Sequence, residues 1–255
     1  MHTGSTDNIQ TIERAFQALE TISRTGPVNF TELHKELNLN KASLSRIVNT
    51  LISIGYIEKN KQSGELYLTL KAYEVGISAV QNNNQISLIN STLVDLRNET
   101  GLISQFSIED NNELICLQSI SLENSVFSVH TSVGKRTPLY SASAGKAILA
   151  TYSNSEIMEK WKSFDVRPIT TNTHTDIQSL LKDINEIRQR GYALDIEEND
   201  YGLFCVGAVI MNQSRKPIGA ISVSGSSMTP ETEKHLGKIV TQAARRLSNL
   251  LGYTL

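Results

Sequence analysis

Cysteine is scarce in this chain: only Cys116 and Cys205 occur in 255 residues. Both lie in apolar, strand-like surroundings, Leu114-Ile115-Cys116-Leu117 and Phe204-Cys205-Val206. That context fits buried free thiols and argues against a disulfide framework. His130, His174 and His235 show no ligand spacing to one another or to the cysteines, so no metal site and no cofactor are expected. No apolar run approaches the roughly 18 residues a membrane helix needs. The first eight residues have neither a basic nor an apolar leader segment, so a cytoplasmic protein without a membrane partner is expected. There is little excess charge of either sign: the net charge is −2 and the hydrophobic fraction 39%. That balance excludes a globally basic nucleic-acid binder and an acidic disordered chain, and the length suits one large or two ordinary globular domains.

The informative stretch runs from Asn40 to Glu58. Leu44, Ile47, Val48 and Leu51 recur at the spacing of one helix face, with Asn40 as N-cap and Gly55 as a stop. The opposite face carries Lys41, Ala42, Ser43, Ser45, Arg46, Asn49 and Thr50. Its polar members are donors of the kind that reach phosphates and base edges. Taken alone, this is also what a serine-rich solvated helix looks like. The neighbours favour the first reading. Ile9, Ile12, Phe16, Leu19 and Ile22 mark an earlier amphipathic helix ended by Thr25-Gly26-Pro27, and a short helix follows at 30–37. Asn38-Leu39-Asn40 has the length of the turn in a helix-turn-helix. Residues 56–60 and 65–70 around Gln62-Ser63-Gly64 read as a hairpin, with Lys59 and Lys61 at its tip. Three helices and a basic hairpin are the winged helix-turn-helix arrangement, whose second motif helix enters the major groove.

Residues 1–80 hold eight basic and eight acidic side chains, but 40–62 hold four basic residues and the single acid Glu58. The positive charge thus sits where phosphates would lie. So few cations imply weak binding by one copy, and hence several copies acting together.

The division expected is residues 1–72 as the DNA-binding domain, a linker helix at 73–85, and a C-terminal domain at 86–255. In the latter, strands are expected at 103–108, 114–119, 125–130, 192–197, 204–211 and 218–224. Helices are expected at 86–100, 144–152, 154–162, 176–190 and 231–251. Strands paired by short turns at 110–112 and 213–216, with helices grouped between, predict an α+β domain around an antiparallel sheet.

An enzyme reading has one foothold. Ser143-Ala144-Gly145-Lys146 fits the S-x-x-K nucleophile motif, but the companion S-D-N and K-T-G elements are absent from the chain. A P-loop is absent too. A metabolite-binding module without DNA function is the third class, and the 40–58 helix argues against it.

Across almost its whole length the chain resembles the IclR family of bacterial transcriptional regulators. The segments that carry the resemblance are Lys41-Ala42-Ser43-Leu44-Ser45-Arg46 with Gly55-Tyr56-Ile57-Glu58, then Tyr140-Ser141-Ala142-Ser143-Ala144-Gly145-Lys146-Ala147-Ile148-Leu149-Ala150. The third is Arg190-Gly191-Tyr192-Ala193-Leu194-Asp195-Ile196-Glu197-Glu198-Asn199, leading through Cys205 to Ile218-Gly219-Ala220-Ile221-Ser222-Val223-Ser224-Gly225. The first is generic to winged helices; the other two, in this order, are specific. The resemblance implies a GAF-like effector-binding C-terminal domain and a homodimer or homotetramer on palindromic operator DNA. It also implies a regulator of a catabolic operon, a repressor before an activator, controlled by a small organic or sugar acid. By position it carries the effector contacts onto Val126, Val129, Ser143, Ala144, Gly145, Asp195, Leu203, Cys205, Ser222 and Ser224. The chemistry suits an acid. A helix start at 143–146 offers unpaired N–H groups to a carboxylate, Ser222 and Ser224 share one strand face, and Asp195 would accept from ligand hydroxyls. Many relatives are expected to carry glycine where Ser143 stands, so ligand identity does not transfer with the contacts.

Overall fold

The computed structural model describes residues 9–81, 85–121 and 133–253. The chain forms two compact units divided at Asn83/Asn84.

The N-terminal unit is a winged helix. Helices α1 (Gln10–Thr25), α2 (Phe30–Leu37) and α3 (Lys41–Ser53) precede the strands β1 (Ile57–Lys59) and β2 (Leu66–Leu68), and α4 (Leu70–Gln81) follows. Each start has a local cause. Asn29 and Glu32 form a reciprocal capping box at α2, and Asn40 Oδ1 accepts the Ser43 N–H at 2.8 Å at α3. Between them Asn38 adopts a left-handed conformation (φ 48°), which closes the three-residue turn. The core is Ala18, Ile22, Val28, Leu33, Leu44, Ile47, Val48, Leu51, Ile57 and Leu66. Val28 pairs with Leu66 and so adds a bridge to the wing. The apolar face expected for α1 is buried only in part. Ile22 is covered, whereas Ile9, Ile12 and Phe16 are 65, 52 and 60% exposed. Ala18 and Thr21 take the packed positions instead.

The C-terminal unit is built on a six-stranded antiparallel sheet of order β5-β4-β3-β8-β7-β6. Its strands are β3 (Ile103–Asp110), β4 (Glu113–Ile120), β5 (Arg136–Pro138), β6 (Ala193–Ile196), β7 (Phe204–Met211) and β8 (Pro217–Gly225). Side chains alternate across it. Val206, Ala208, Ile210, Ile221 and Val223 pack against α5 (Gln85–Thr100) and α9 (Pro230–Leu250). The opposite face, with Ala193 and Ala220, meets α6 (Ser143–Leu149) and α8 (Ile177–Arg190), joined by residues of α7 (Asn154–Trp161). Helix α6 is buried along its whole length and lies directly on the strands. A Cβ on Gly207 would meet the Ala144 nitrogen at 2.8 Å, and one on Gly145 would meet the Leu139 carbonyl oxygen at 2.4 Å. Two glycines therefore set how close this helix comes.

Against expectation, α6 starts at Ser143 and stops at Leu149 instead of running to 152, and the three-residue strand β5 was not foreseen. The strand expected at 125–130, with Val126 and Val129, lies outside the described residues.

Candidate functional sites: a polar helix face and a buried cavity

At 100° per residue, the residues of α3 divide cleanly. Leu44, Ile47, Val48 and Leu51 take the buried arc. Lys41, Ala42, Arg46, Asn49 and Thr50 are exposed, and Ser43 and Ser45 half-buried, on the remaining arc. Ser43 and Arg46 also line a groove against Thr11 and Arg14 of α1. In the wing, Asn60 Oδ1 accepts the N–H groups of Gln62 and Ser63 at 2.8 and 3.2 Å, and Gly64 turns with φ +77°. Lys59 and Lys61 are exposed there. The structure thus brings six polar side chains of the expected DNA face (Lys41, Ser43, Ser45, Arg46, Asn49 on one helix arc, with Thr50 beside them) to the surface, with two lysines on the hairpin.

In the C-terminal unit a cavity opens between the start of α6 and the sheet. Its lining includes Ser143, Ala144, Leu203, Cys205, Ser222 and Ser224. Strand register explains the last three: Ser224 lies opposite Cys205, and Ser222 opposite Gly207, on the face turned to α6. Ser224 Oγ lies 3.2 Å from Cys205 Sγ and 3.5 Å from Gln105 Oε1, and the Gln105 amide donates to Cys116 Sγ at 3.4 Å. Both cysteines line this cavity, Cys116 bonded by Gln105 and Cys205 by Ser224. Burial raises both thiols, Cys205 the more strongly, so they stay neutral S–H groups rather than reactive thiolates.

Two residues expected at the ligand do not line the cavity. Gly145 is turned into its contact with Leu139. Asp195 is buried, but its oxygens are taken by the loop that follows: Oδ1 accepts the Glu198 N–H at 2.8 Å and Oδ2 the Asn199 amide at 3.1 Å. A buried carboxylate must find such donors, and here the nearest are in its own chain. Burial raises Asp195, with these hydrogen bonds opposing the rise. In its place the loop presents Asn199 and Asp200 to the cavity, which Lys135 just before β5 and Thr137 within β5 also line.

The loop is braced from behind. Thr170 Oγ1 donates to the Glu197 carbonyl at 2.6 Å and Thr173 Oγ1 to that of Glu198 at 2.7 Å. Ser141 Oγ donates to Asn199 at 2.8 Å. Lys146, only 1% exposed, bonds Asp183 Oδ2 at 2.7 Å and Glu198 Oε1 at 2.5 Å. Arg190 also pairs with Asp183, at 3.2 Å. His174 Nε2 stands 3.5 Å from Asp183 and 3.8 Å from Glu198 Oε2, which has no hydrogen-bond partner among the described residues. Burial would raise both acids. For Asp183 the bond from His174 and the Lys146 ammonium outweigh it and hold the carboxyl well below its usual range. For Glu198 burial wins and pushes it to about 7, despite Lys146. This trio has ligand atoms close enough for a metal ion. A dication there would sit beside a buried ammonium already bound to both carboxylates, so the geometry is that of an ion-pair cluster.

Comparison with known proteins agrees in both units. The family model described as bacterial transcriptional regulator IclR C-terminal matches residues 77–249, and the IclR helix-turn-helix domain matches 11–61. The chain belongs to the IclR family. Its members are DNA-binding transcriptional regulators, not enzymes, so the S-x-x-K reading of Ser143 falls. Among curated IclR relatives, the HTH-type transcriptional regulator KdgR of Escherichia coli is 26% identical over 254 residues, 97% of this chain and 94% of that protein. The transcriptional repressor IclR of the same organism is 27% identical over 253 residues, covering 97 and 92%. The crystal structure of Thermotoga maritima IclR covers 96% of this chain and 100% of its own, at 28% identity and a TM-score of 0.78. That of an Alicyclobacillus acidocaldarius regulator gives 0.83 at 22% identity, over 96% of this chain and 100% of its own. These likenesses confirm the winged helix and the GAF-like α+β unit. No helix among the described residues is long and apolar enough to cross a membrane.

Proposed function

We propose that this IclR-family chain is a cytoplasmic repressor of a catabolic operon, bound as a homodimer or homotetramer to a palindromic operator and controlled by a small organic or sugar acid. The observation that carries the reading is the pairing, in one chain, of an outward polar arc on α3 with a cavity lined by Ser143, Ser222 and Ser224 in the second unit. The α3 residues Lys41, Ala42, Ser43, Ser45, Arg46 and Asn49 would meet the major groove, and Lys59 and Lys61 the backbone. The exposed Ile9, Ile12 and Phe16 on α1 support association of copies, because clustered large apolar groups are seldom left in water without a partner. In the cavity, the first amides of α6 and the hydroxyls of Ser143, Ser222 and Ser224 suit a carboxylate and its neighbouring oxygens. Ala144, Leu203 and Cys205 supply apolar wall. Gly145 and Asp195 act as positioning residues, through helix approach and loop closure. Binding favours one arrangement of the protein over another and so changes operator affinity.

Selection of genomic DNA fragments by the purified protein tests this. Enrichment of a few palindromic sites beside a metabolic operon is the expected result, and the operon's substrates then supply acids for titration. No enrichment over bulk DNA, at low salt and with candidate acids added, removes the reading.

A further inference from the structure

Lys135 is the single cation and Asp200 the single carboxylate among the described residues that line the cavity. They are paired with each other: Lys135 Nζ lies 3.5 Å from Asp200 Oδ2, with the side chains 34 and 29% exposed. The two are mounted differently. The Lys135 carbonyl accepts the Cys116 N–H at 3.1 Å, which fixes the cation to the sheet just before β5. Asp200 rides on the 197–203 loop, whose closure bonds lie at either side of it. Glu197 N–H donates to the Leu203 carbonyl at 3.0 Å, and Gly202 N–H to Glu197 Oε1 at 2.6 Å.

An acid entering this cavity brings a second negative charge to a cation that is already neutralised. Two anions beside one ammonium repel each other, by an amount that solvent screening reduces at a pair this exposed. The acid can gain the ammonium most readily if Asp200 gives it up. We propose that Lys135 is the charge partner of the ligand carboxylate and that Asp200 is its built-in competitor, displaced when an acid binds. This deepens the acid-effector reading above and rests on it. Two consequences follow from the geometry. A neutral analogue of the acid cannot separate the pair, so the pair selects for anions. Displacement removes one tie between the loop and the sheet edge, while the Glu197–Leu203 closure bond and the bonds from Asp195, Thr170 and Thr173 keep the loop folded. The competing account is that the pair only clips the loop to the sheet edge.

The test is thermal-shift titration of the full chain with glycolate, pyruvate and gluconate, each beside its neutral amide, at fixed ionic strength. The proteins are wild type, Asp200→Asn, Lys135→Met and Lys135→Arg. The expected result is stabilisation by at least one acid and not by its amide. Asp200→Asn should bind that acid about threefold more tightly, the scale of a half-exposed ion pair. Lys135→Met should bind it about tenfold more weakly, as for loss of a charged hydrogen bond, while Lys135→Arg stays within about twofold. If an acid binds the wild type but Asp200→Asn is no tighter, or Lys135→Met no weaker, the exchange is overturned and the effector reading stands. If no acid stabilises any of the four proteins, the exchange falls together with the acid reading.

Discussion

The two polar surfaces of this protein differ in where their polar groups find partners. On α3 and the wing, the heads of Lys41, Arg46, Asn49, Lys59 and Lys61 are exposed to water. In the cavity and behind it, Ser141, Lys146, Asp195, Glu198 and Asn199 are tied to one another. A surface meant for a polyanion keeps its donors free, and water satisfies them at little cost until phosphate replaces it. The buried groups behind the cavity have no such reservoir, so they must be satisfied by the chain itself. The first arrangement makes mutations local to binding. The second couples ligand chemistry to folding.

The largest test of that contrast is Lys146→Met. It leaves Asp183 and Glu198 without their shared buried ammonium, and we expect a loss of about 3–5 kcal/mol in urea unfolding, the scale for breaking one partner of a buried pair. Adding Glu198→Gln should restore part of the loss, because the charge left behind is then removed. Additive losses would mean that the two groups do not interact energetically.

The same cluster makes stability depend on pH. Glu198 is held at about 7, above its ordinary 4.5. Between those values the folded chain binds the proton more tightly than the unfolded one, so this contribution is complete below 4.5 and is lost as pH rises through 7. Asp183 works in the opposite sense. Its carboxyl is depressed from 3.8, so its contribution is present above that value and lost in stronger acid. Stability should therefore peak in mildly acidic solution and fall by up to about 3 kcal/mol toward pH 8. Melting curves of Glu198→Gln should lose the decline above pH 5; an unchanged decline would place the titration elsewhere.

How much was legible in the sequence follows the same division. Helix α3 was readable because its apolar arc repeats and Asn40 caps it, and β7 was placed at 204–211 because its residues are β-branched and apolar between turn signals. Helix α6 was placed less well, since a helix buried on every side has no polar face to set its phase. The strand β5 has three residues, too few to show alternation. The serines of β8 were placed on one face by period two alone. Asp195 was the instructive difference: the family resemblance put it at the ligand, but its partners Glu198 N–H and Asn199 are set by how the loop folds back. Lys135, Asp200, Thr170 and Thr173 carried no sequence signal, because each acquires its role from a residue far along the chain.

On the free surface, Arg46→Ala should leave melting almost unchanged and cost about 1–3 kcal/mol of specific DNA affinity if the guanidinium reads a base. Equal loss on all sequences would make Arg46 a phosphate contact. In either case its effect on stability should be far below that of Lys146→Met, which is the contrast in its sharpest form.

The smallest expected effect is at the tip of the wing. Lys61 is exposed and has no base to read if the hairpin lies along the backbone. Lys61→Ala should then weaken specific and non-specific DNA by the same factor. It should also lower the slope of log affinity against log salt by about 1 per protein copy bound, since one fewer condensed counterion is released. A loss confined to one sequence would bring the wing into a groove. An unchanged slope would take Lys61 off the DNA and leave α3 to carry the contact alone, and the few cations counted there would then make association of several copies all the more necessary for tight binding.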